Sequence, residues 1–306
     1  MQTSPWMAGA ASLLLSGVFI AMLLRQANRL PIDRPNDRSL HSKAVPRAGG
    51  LALVPAAYIG WVLAPSFPWL IATLSAVLLA VSYLDDRRGL PVGLRMAAHL
   101  GVAATFAYGL GGDAGGIAIA MIVLIIAWSI NLYNFMDGAD GLAGGMALFG
   151  FSCFGIAAWL KGDPAFAAIN LGIAGAAAGF LFFNFPPARI FLGDSGSVPL
   201  GFLAAALGWS GFQAQLWPWW FPALVFSPFL VDATVTLCRR ALKGQKVWQA
   251  HREHYYQRLV RMGWSHVNTA VAEYILMAGA GASAILLLFA EAPAQWLTMG
   301  FWIAVY

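Results

Sequence analysis

Asn131-Leu132-Tyr133-Asn134-Phe135-Met136-Asp137-Gly138-Ala139-Asp140-Gly141-Leu142 joins two uninterrupted apolar runs, Gly116–Ile130 and Gly141–Leu160. Four polar side chains, Asn131, Asn134, Asp137 and Asp140, recur at intervals of three. That spacing places them on one face of a helical turn. Gly138 and Gly141 allow the backbone to approach a ligand closely. Two amides and two carboxylates between apolar helices are costly unless they bind something, so a plain capping turn explains them poorly. The flanking runs approach the length that crosses a bilayer, and that decides the class of the fold.

Working outward, apolar runs recur along all 306 residues, which are 60% hydrophobic and 10% charged. The mean hydropathy is +0.70. Soluble domains carry about 25% charged residues, so water is not the main solvent of this fold. Eleven runs are candidate spanning helices: Pro5–Leu24, Gly50–Ala64, Phe67–Leu84, Leu94–Leu110, Gly116–Ile130, Gly141–Leu160, Ala165–Phe183, Ser197–Gly211, Trp217–Cys238, Thr269–Ala290 and Ala294–Tyr306. Met7–Leu24 follows no basic segment and precedes no small-residue cleavage site, so it reads as a retained membrane helix. Residues 1–306 read as one all-α membrane domain, with 239–268 as its longest loop. Cys153 and Cys238 lie in separate apolar runs and suggest neither a disulfide framework nor a zinc site.

The connections alternate in charge. Odd-numbered ones hold seventeen of the eighteen Lys and Arg residues, and even-numbered ones hold only Lys161. The positive-inside rule makes the basic side cytoplasmic, with the N-terminus outside and the C-terminus inside. The net charge of +5 is then loop charge that sets orientation, not a nucleic-acid footprint.

Every chemically rich segment falls on the basic side. Asp33–Gly50 mixes prolines, glycines and cations, which suits a multiply charged anion, and Gly49-Gly50 opens a helix whose free N–H groups can bind phosphate. A positive-inside anchor is the plain alternative. Asp85-Asp86, adjacent carboxylates at a helix end, suggest a Mg²⁺ ligand, a base, or both; a hydrated end neutralised by Arg87 and Arg88 is the alternative. Gly193-Asp194-Ser195-Gly196 resembles a serine-protease nucleophile run, but its flanks are membrane helices and the triad contexts are missing. It reads better as a carboxylate in an oxygen-rich turn before a helix N-terminus, suited to Mg²⁺ and phosphate together. Phe191 is placed to stack on a base. In His251-Arg252-Glu253-His254-Tyr255-Tyr256-Gln257-Arg258-Leu259, a helix puts His251 and His254 on one face near Arg258. That face fits a phosphate clamp or an interfacial amphipathic helix. Asp232 lies inside the ninth run. It reads equally as a functional intramembrane carboxylate and as a partner of Arg239, Arg240 or a neighbouring helix.

Together these segments resemble the polyprenyl-phosphate N-acetylhexosamine-1-phosphate transferase family. The matching pieces are Arg38-Ser39-Leu40-His41 with Pro46-Arg47-Ala48-Gly49-Gly50, Asp85-Asp86, Asn131 to Leu142, Pro187 to Ser197, and His251 to Leu259, in that order over nearly the whole chain. The histidine segment lacks the run of adjacent histidines of the peptidoglycan translocase. It is more similar to the O-antigen and common-antigen initiating branch, which disfavours a muramyl-pentapeptide donor. The resemblance implies ten or eleven membrane helices with a cytoplasmic cleft, in a bacterial inner membrane and often as a homodimer.

It also implies the reaction: transfer of an N-acetylhexosamine 1-phosphate, or a 6-deoxy relative, from a UDP-sugar to polyprenyl phosphate, releasing UMP, with Mg²⁺ or Mn²⁺. Both substrates are anions, so positioning and charge neutralisation dominate. Carried onto this chain, the resemblance makes Asp194 the first metal ligand, with Asp86, Asp137 and Asp140 completing the magnesium or nucleotide shell. Asp85 accepts a proton from the lipid phosphate or orients it. Asn131 and Asn134 bind donor hydroxyls or phosphate, Phe191 stacks on uracil, and Lys43, Arg47, His251, His254 and Arg258 hold phosphates. The rival is a secondary transporter or cation channel, whose acidic sites would sit near the midplane on broken helices in related repeats. Here the acidic residues gather at one face, and only Asp232 leans toward transport.

Overall fold

The computed structural model describes residues 4–35, 44–110, 115–247 and 251–306. Among them are thirteen α-helices: α1 Pro5–Arg25, α2 Gly50–Trp61, α3 Trp69–Arg88, α4 Val92–Leu110, α5 Gly116–Phe135, α6 Leu142–Leu160, α7 Pro164–Asn184, α8 Asp194–Gln213, α9 Trp220–Val225, α10 Ser227–Leu242, α11 Tyr255–Arg261, α12 His266–Leu287 and α13 Ala292–Val305. Two-residue strands, β1 Ile32–Asp33 and β2 Val45–Pro46, pair antiparallel across the first loop. Six helices, α1, α3, α5, α6, α7 and α12, are long and apolar enough to cross a membrane. The chain is an all-α polytopic membrane protein.

The six long spanning helices are largely apolar all round, as a lipid-embedded bundle requires. α6 and α7 lie mostly buried, whereas α1 and α5 present Leu14, Val18, Leu124 and Ile125 outward. The buried Trp61 closes the short α2 and donates its indole N–H to Ile169 O of α7 at 2.7 Å, which satisfies the polar end of an otherwise apolar anchor.

The structure departs from three expectations. The ninth run is two helices, α9 and α10, because Pro228 has no N–H for the Leu224 carbonyl; the Ser227 hydroxyl donates to it instead at 2.7 Å. α5 continues past Ile130 to Phe135, and α8 starts at Asp194 rather than Ser197. The polar residues that end an apolar run do not end the backbone hydrogen bonding. Finally, α5 stops before Asp137, so only Asn131 and Asn134 of the four evenly spaced groups are helical.

The ends of α3 and α5 and the starts of α2, α4 and α8 converge through the loop contacts described below. Alternating up-and-down traverses thus bring the widely separated acidic segments to one face of the bundle.

Candidate active site

The start of α8 is the hub. Its N-cap, Gly193, has no side chain, so its first N–H groups need other acceptors. Asp86, from the last turn of α3, supplies them: Oδ2 accepts the Ser195 N–H at 3.1 Å and Oδ1 lies 3.4 Å from the Asp194 nitrogen. The Gly193 N–H donates to the Asp137 carboxylate. Two carboxylates therefore sit at the positive end of the α8 dipole.

Arg47 ties this cradle to the first loop. Its Nη2 lies 2.6 Å from Asp86 Oδ1 and 3.0 Å from Asp194 Oδ1. Burial opposes the charge of Arg47, but Asp86, Asp194, Asp33 and Asp137 outweigh it and raise its pKa. The loop is held by backbone as well: the Phe191 N–H donates to Pro46 O at 2.8 Å, Gly49 N–H to Phe191 O at 2.9 Å and Gly50 N–H to Leu192 O at 2.9 Å. A side chain at Gly50 would strike the backbone of Ser195 and Gly196, so α2 and α8 meet as closely as they do because this residue is glycine. The N–H groups of Gly49 and Gly50 are consequently committed to carbonyls. The expected phosphate cradle at the start of α2 is not available.

Arg95, in the first turns of α4, binds Asp85 Oδ2 at 2.8 Å and lies 3.8 Å from Asp194 Oδ2. Asp85 Oδ1 also accepts the Leu90 N–H at 2.6 Å, where Gly89 turns the chain with φ +67°. Asp85, Asp86, Asp137 and Asp194 thus share the cluster with two guanidiniums, two charges short of neutrality when all four are ionised. Asp137 is pushed well above the ordinary carboxylate range by desolvation and by Asp194 and Asp86; Arg47 and the Gly193 N–H pull it down.

The remaining expected groups divide. Asn134 Oδ1 accepts the Ser197 hydroxyl at 2.7 Å, beside the hub, while Asn131 bonds back to Ala127 O at 2.7 Å on its own helix. Asp140 accepts the Ala188 N–H at 3.0 Å and lies 3.8 Å from His266 Nδ1 at the start of α12. Phe191 stands beside Arg47 through a short parallel bridge. Lys43 lies outside the described residues.

The histidine segment docks under the same loop. The Tyr256 hydroxyl donates to Phe135 O at 3.0 Å, and a side chain at Gly138 would strike that hydroxyl. His251 and His254 precede α11 rather than sharing its face, because His254 is the N-cap. Their rings still meet, with centroids 4.8 Å apart. His254 is 2% exposed, so His251 is the one of the pair that faces outward. Arg258 is exposed and lies over the Tyr255 ring. Asp232 pairs with neither Arg239 nor Arg240. It bonds His254 Nδ1 at 3.1 Å and accepts the N–H groups of Tyr255 and Tyr256.

Sequence reasoning missed Arg95, counted only as loop charge, and Asn184, which accepts the Gly141 N–H and donates to Ile190 O, both at 2.9 Å. A lone amide at the end of an apolar helix was the available signal for Asn184. Nothing local marks Arg95, whose partners lie on α3 and α8.

Among the described residues, no three His, Cys, Asp or Glu side chains already converge as a bare ligand set. The carboxylates are instead held by the arginines and the α8 N–H groups. Their hard oxygens and the charge deficit fit a divalent cation such as Mg²⁺.

Comparison with known proteins adds to this geometry. A family model described as glycosyl transferase family 4 matches residues 68–211. The chain is 29% identical to the probable undecaprenyl-phosphate N-acetylglucosaminyl 1-phosphate transferase of Bacillus subtilis, over 88% of this chain and 79% of that protein. It is 30% identical to the decaprenyl-phosphate N-acetylglucosaminephosphotransferase of Mycobacterium leprae, over 81% and 75%. It is 28% identical to the phospho-N-acetylmuramoyl-pentapeptide-transferase of Shouchella clausii, over 87% and 91%. With its matching segments gathered at one face of a membrane bundle, the chain belongs to glycosyl transferase family 4, among the polyprenyl-phosphate N-acetylhexosamine-1-phosphate transferases.

Proposed function

We propose that the protein transfers N-acetylhexosamine 1-phosphate from a UDP-sugar to a polyprenyl phosphate, releasing UMP, as the first membrane step of an envelope polysaccharide. The carrying observation is the cluster of four aspartates and two arginines at the mouth of a membrane bundle that belongs to this family. A phosphate oxygen of the lipid attacks the sugar-proximal phosphorus of the donor. The bond from that phosphorus to the UMP oxygen breaks, and UMP leaves with the electron pair.

Asp194 and Asp137 are the metal ligands of choice. Asp86 is spent on capping α8 and on Arg47, and Asp140 is engaged with Ala188 and His266. A bound Mg²⁺ would neutralise diphosphate charge. Arg47 and Arg95, each joined to Asp194, hold that carboxylate in place and offer cations to phosphate oxygens. Asp85, in the last turns of α3, orients the lipid phosphate. The site faces the cytoplasm of a bacterial inner membrane by the basic bias of the connecting loops. N-acetylglucosamine is the preferred donor sugar, since the relatives from Bacillus subtilis and Mycobacterium leprae are named for it.

The test is UMP release by the purified protein across a panel of UDP-sugars, each with and without undecaprenyl phosphate. Release that needs both substrates supports the reading. Release without lipid, or none with any donor, defeats it.

A further inference from the structure

Gly141 turns the chain into α6 with φ +77°, and both of its polar groups are held from outside the turn. Its N–H donates to Asn184 of α7, and its carbonyl accepts the hydroxyl of Tyr274, on α12, at 2.7 Å. The Tyr274 ring reaches that carbonyl by lying across α6 at Gly145, where any side chain would strike the ring. Phe149 and Phe185 brace it, with ring centroids 5.4 Å and 6.3 Å away. Further along the same interface, a side chain at Gly281 of α12 would strike Cys153 Sγ of α6. Glycines on both helices thus fix the register of α12 on α6, and with it the place of the Tyr274 hydroxyl.

The turn that Gly141 ends carries Asp137 and Asp140. Its own backbone bonds are long: Asp137 N–H to Asn134 O at 3.3 Å and Leu142 N–H to Ala139 O at 3.2 Å. Such a turn takes its shape from what grips its ends, and Tyr274 grips the α6 end. We propose that Tyr274 is a positioning residue for the transfer, its hydroxyl holding turn 137–141 in the shape that presents Asp137 to Mg²⁺. The inference rests on the transferase reading and on Asp137 as a metal ligand, and extends them to a residue of α12 outside the aspartate–arginine cluster. Asp85 and Asp194 answer to other partners, since Arg95 joins both and Arg47 joins Asp194. Loss of the Tyr274 hydroxyl should therefore disturb the turn and leave those two carboxylates in place.

Calorimetric titration of the full-length protein in detergent with Mg²⁺, beside thermal unfolding of metal-free samples, tests this. Tyr274→Phe keeps the ring in its Gly145 notch and removes only the hydroxyl. Its Mg²⁺ affinity should fall about tenfold, the low end for a lost outer partner of a metal site. Its metal-free unfolding midpoint should stay within a few degrees of wild type. Gly145→Ala keeps the hydroxyl but drives the ring off α6, and should lose as much affinity. Two changes that break one link do not add, so the double variant should bind Mg²⁺ no worse than either alone. The KM for undecaprenyl phosphate should not move. Wild-type Mg²⁺ affinity in Tyr274→Phe, whatever its midpoint, overturns the proposal and leaves Tyr274 a packing residue. Full additivity in the double variant, or a wild type that binds no Mg²⁺, overturns it too. A wild type that binds Mg²⁺ but releases no UMP defeats the transferase reading instead, and the affinities still decide whether Tyr274 sets the metal site.

Discussion

Ser195 donates its backbone N–H to Asp86 Oδ2 at 3.1 Å, so the last turn of α3 caps the first turn of α8. The other oxygen of Asp86 binds Arg47 at 2.6 Å, and the side chain is fully buried. Asp86 is therefore the joint between three segments more than 30 residues apart in sequence. Asp86→Ala deprives two N–H groups of their acceptor and leaves Arg47 with Asp194 alone, and breaking a buried charged pair costs about 3–5 kcal/mol. Asp86→Asn keeps one acceptor oxygen and should lose less. Thermal unfolding in detergent without Mg²⁺ checks this; equal midpoints for wild type and Asp86→Ala would show that the joint carries no stability.

Asp137 makes the site pH-sensitive. The unfolded chain gives up this proton at the ordinary carboxylate pKa, but the folded, metal-free cluster holds it to a higher pH. Stability of the metal-free protein should therefore fall as pH rises between those two values. A divalent cation binds the carboxylate and reverses the preference, so Mg²⁺ affinity should climb with pH and binding should release a proton. Calorimetry in buffers of different protonation enthalpy measures that proton. Proton release should shrink in Asp137→Asn to the part that Asp194 supplies, whose carboxyl burial and Asp86 push up to about 6; binding that is proton-free in the wild type would remove Asp137 from the metal site.

Asp85 and Asp194 share a link to Arg95 but not a role. Asp85→Asn should leave Mg²⁺-dependent UDP-sugar binding intact while lowering kcat by about 10²-fold or more, the range of a lost acid–base or orienting group. If Asp85 accepts a proton, the defect should shrink at high pH, where the lipid phosphate is a dianion unaided. Asp194→Asn should weaken donor binding itself. Loss of donor binding in Asp85→Asn would mean that both carboxylates serve one metal site.

Phe191 can be shortened without dismantling its loop, because its N–H and C=O are committed to Pro46 and Gly49 through backbone alone. Phe191→Ala should weaken UMP and UDP-sugar binding by about 1–3 kcal/mol, the worth of one base–aromatic stack. Lipid-phosphate affinity should hardly change. Equal losses for both substrates would make Phe191 a packing residue of the cleft.

The apolar runs and the one-sided basic residues made the helical bundle legible, because lipid requires each segment to satisfy its own backbone. Segments such as Asp85-Asp86 and Gly193-Asp194-Ser195-Gly196 were legible as chemistry for the same reason: charge at a membrane helix end stands out. The break at Phe226 was harder to see, since Pro228 lies in an apolar run and only the missing Leu224–Pro228 hydrogen bond betrays it. Division of labour among the aspartates was not legible. Whether a carboxylate caps a helix, as Asp86 does, or braces a histidine, as Asp232 does, depends on partners more than 20 residues away. Arg95 was hidden because its partners, Asp85 and Asp194, lie on other helices.

On the proposed reading, the Asp137–Asp194 cluster is a Mg²⁺-dependent transfer site. Its most direct test is mass-spectrometric detection of polyprenyl diphospho-sugar made by purified protein in nanodiscs from UDP-N-acetylglucosamine and undecaprenyl phosphate, with Mg²⁺, with EDTA, and with Asp194→Asn. Product and equimolar UMP should form with Mg²⁺ and none with EDTA, and Asp194→Asn should lose about 10²-fold or more, as expected when a charged ligand to the metal is removed. Product formed at the wild-type rate by Asp194→Asn, or undiminished in EDTA, would contradict it.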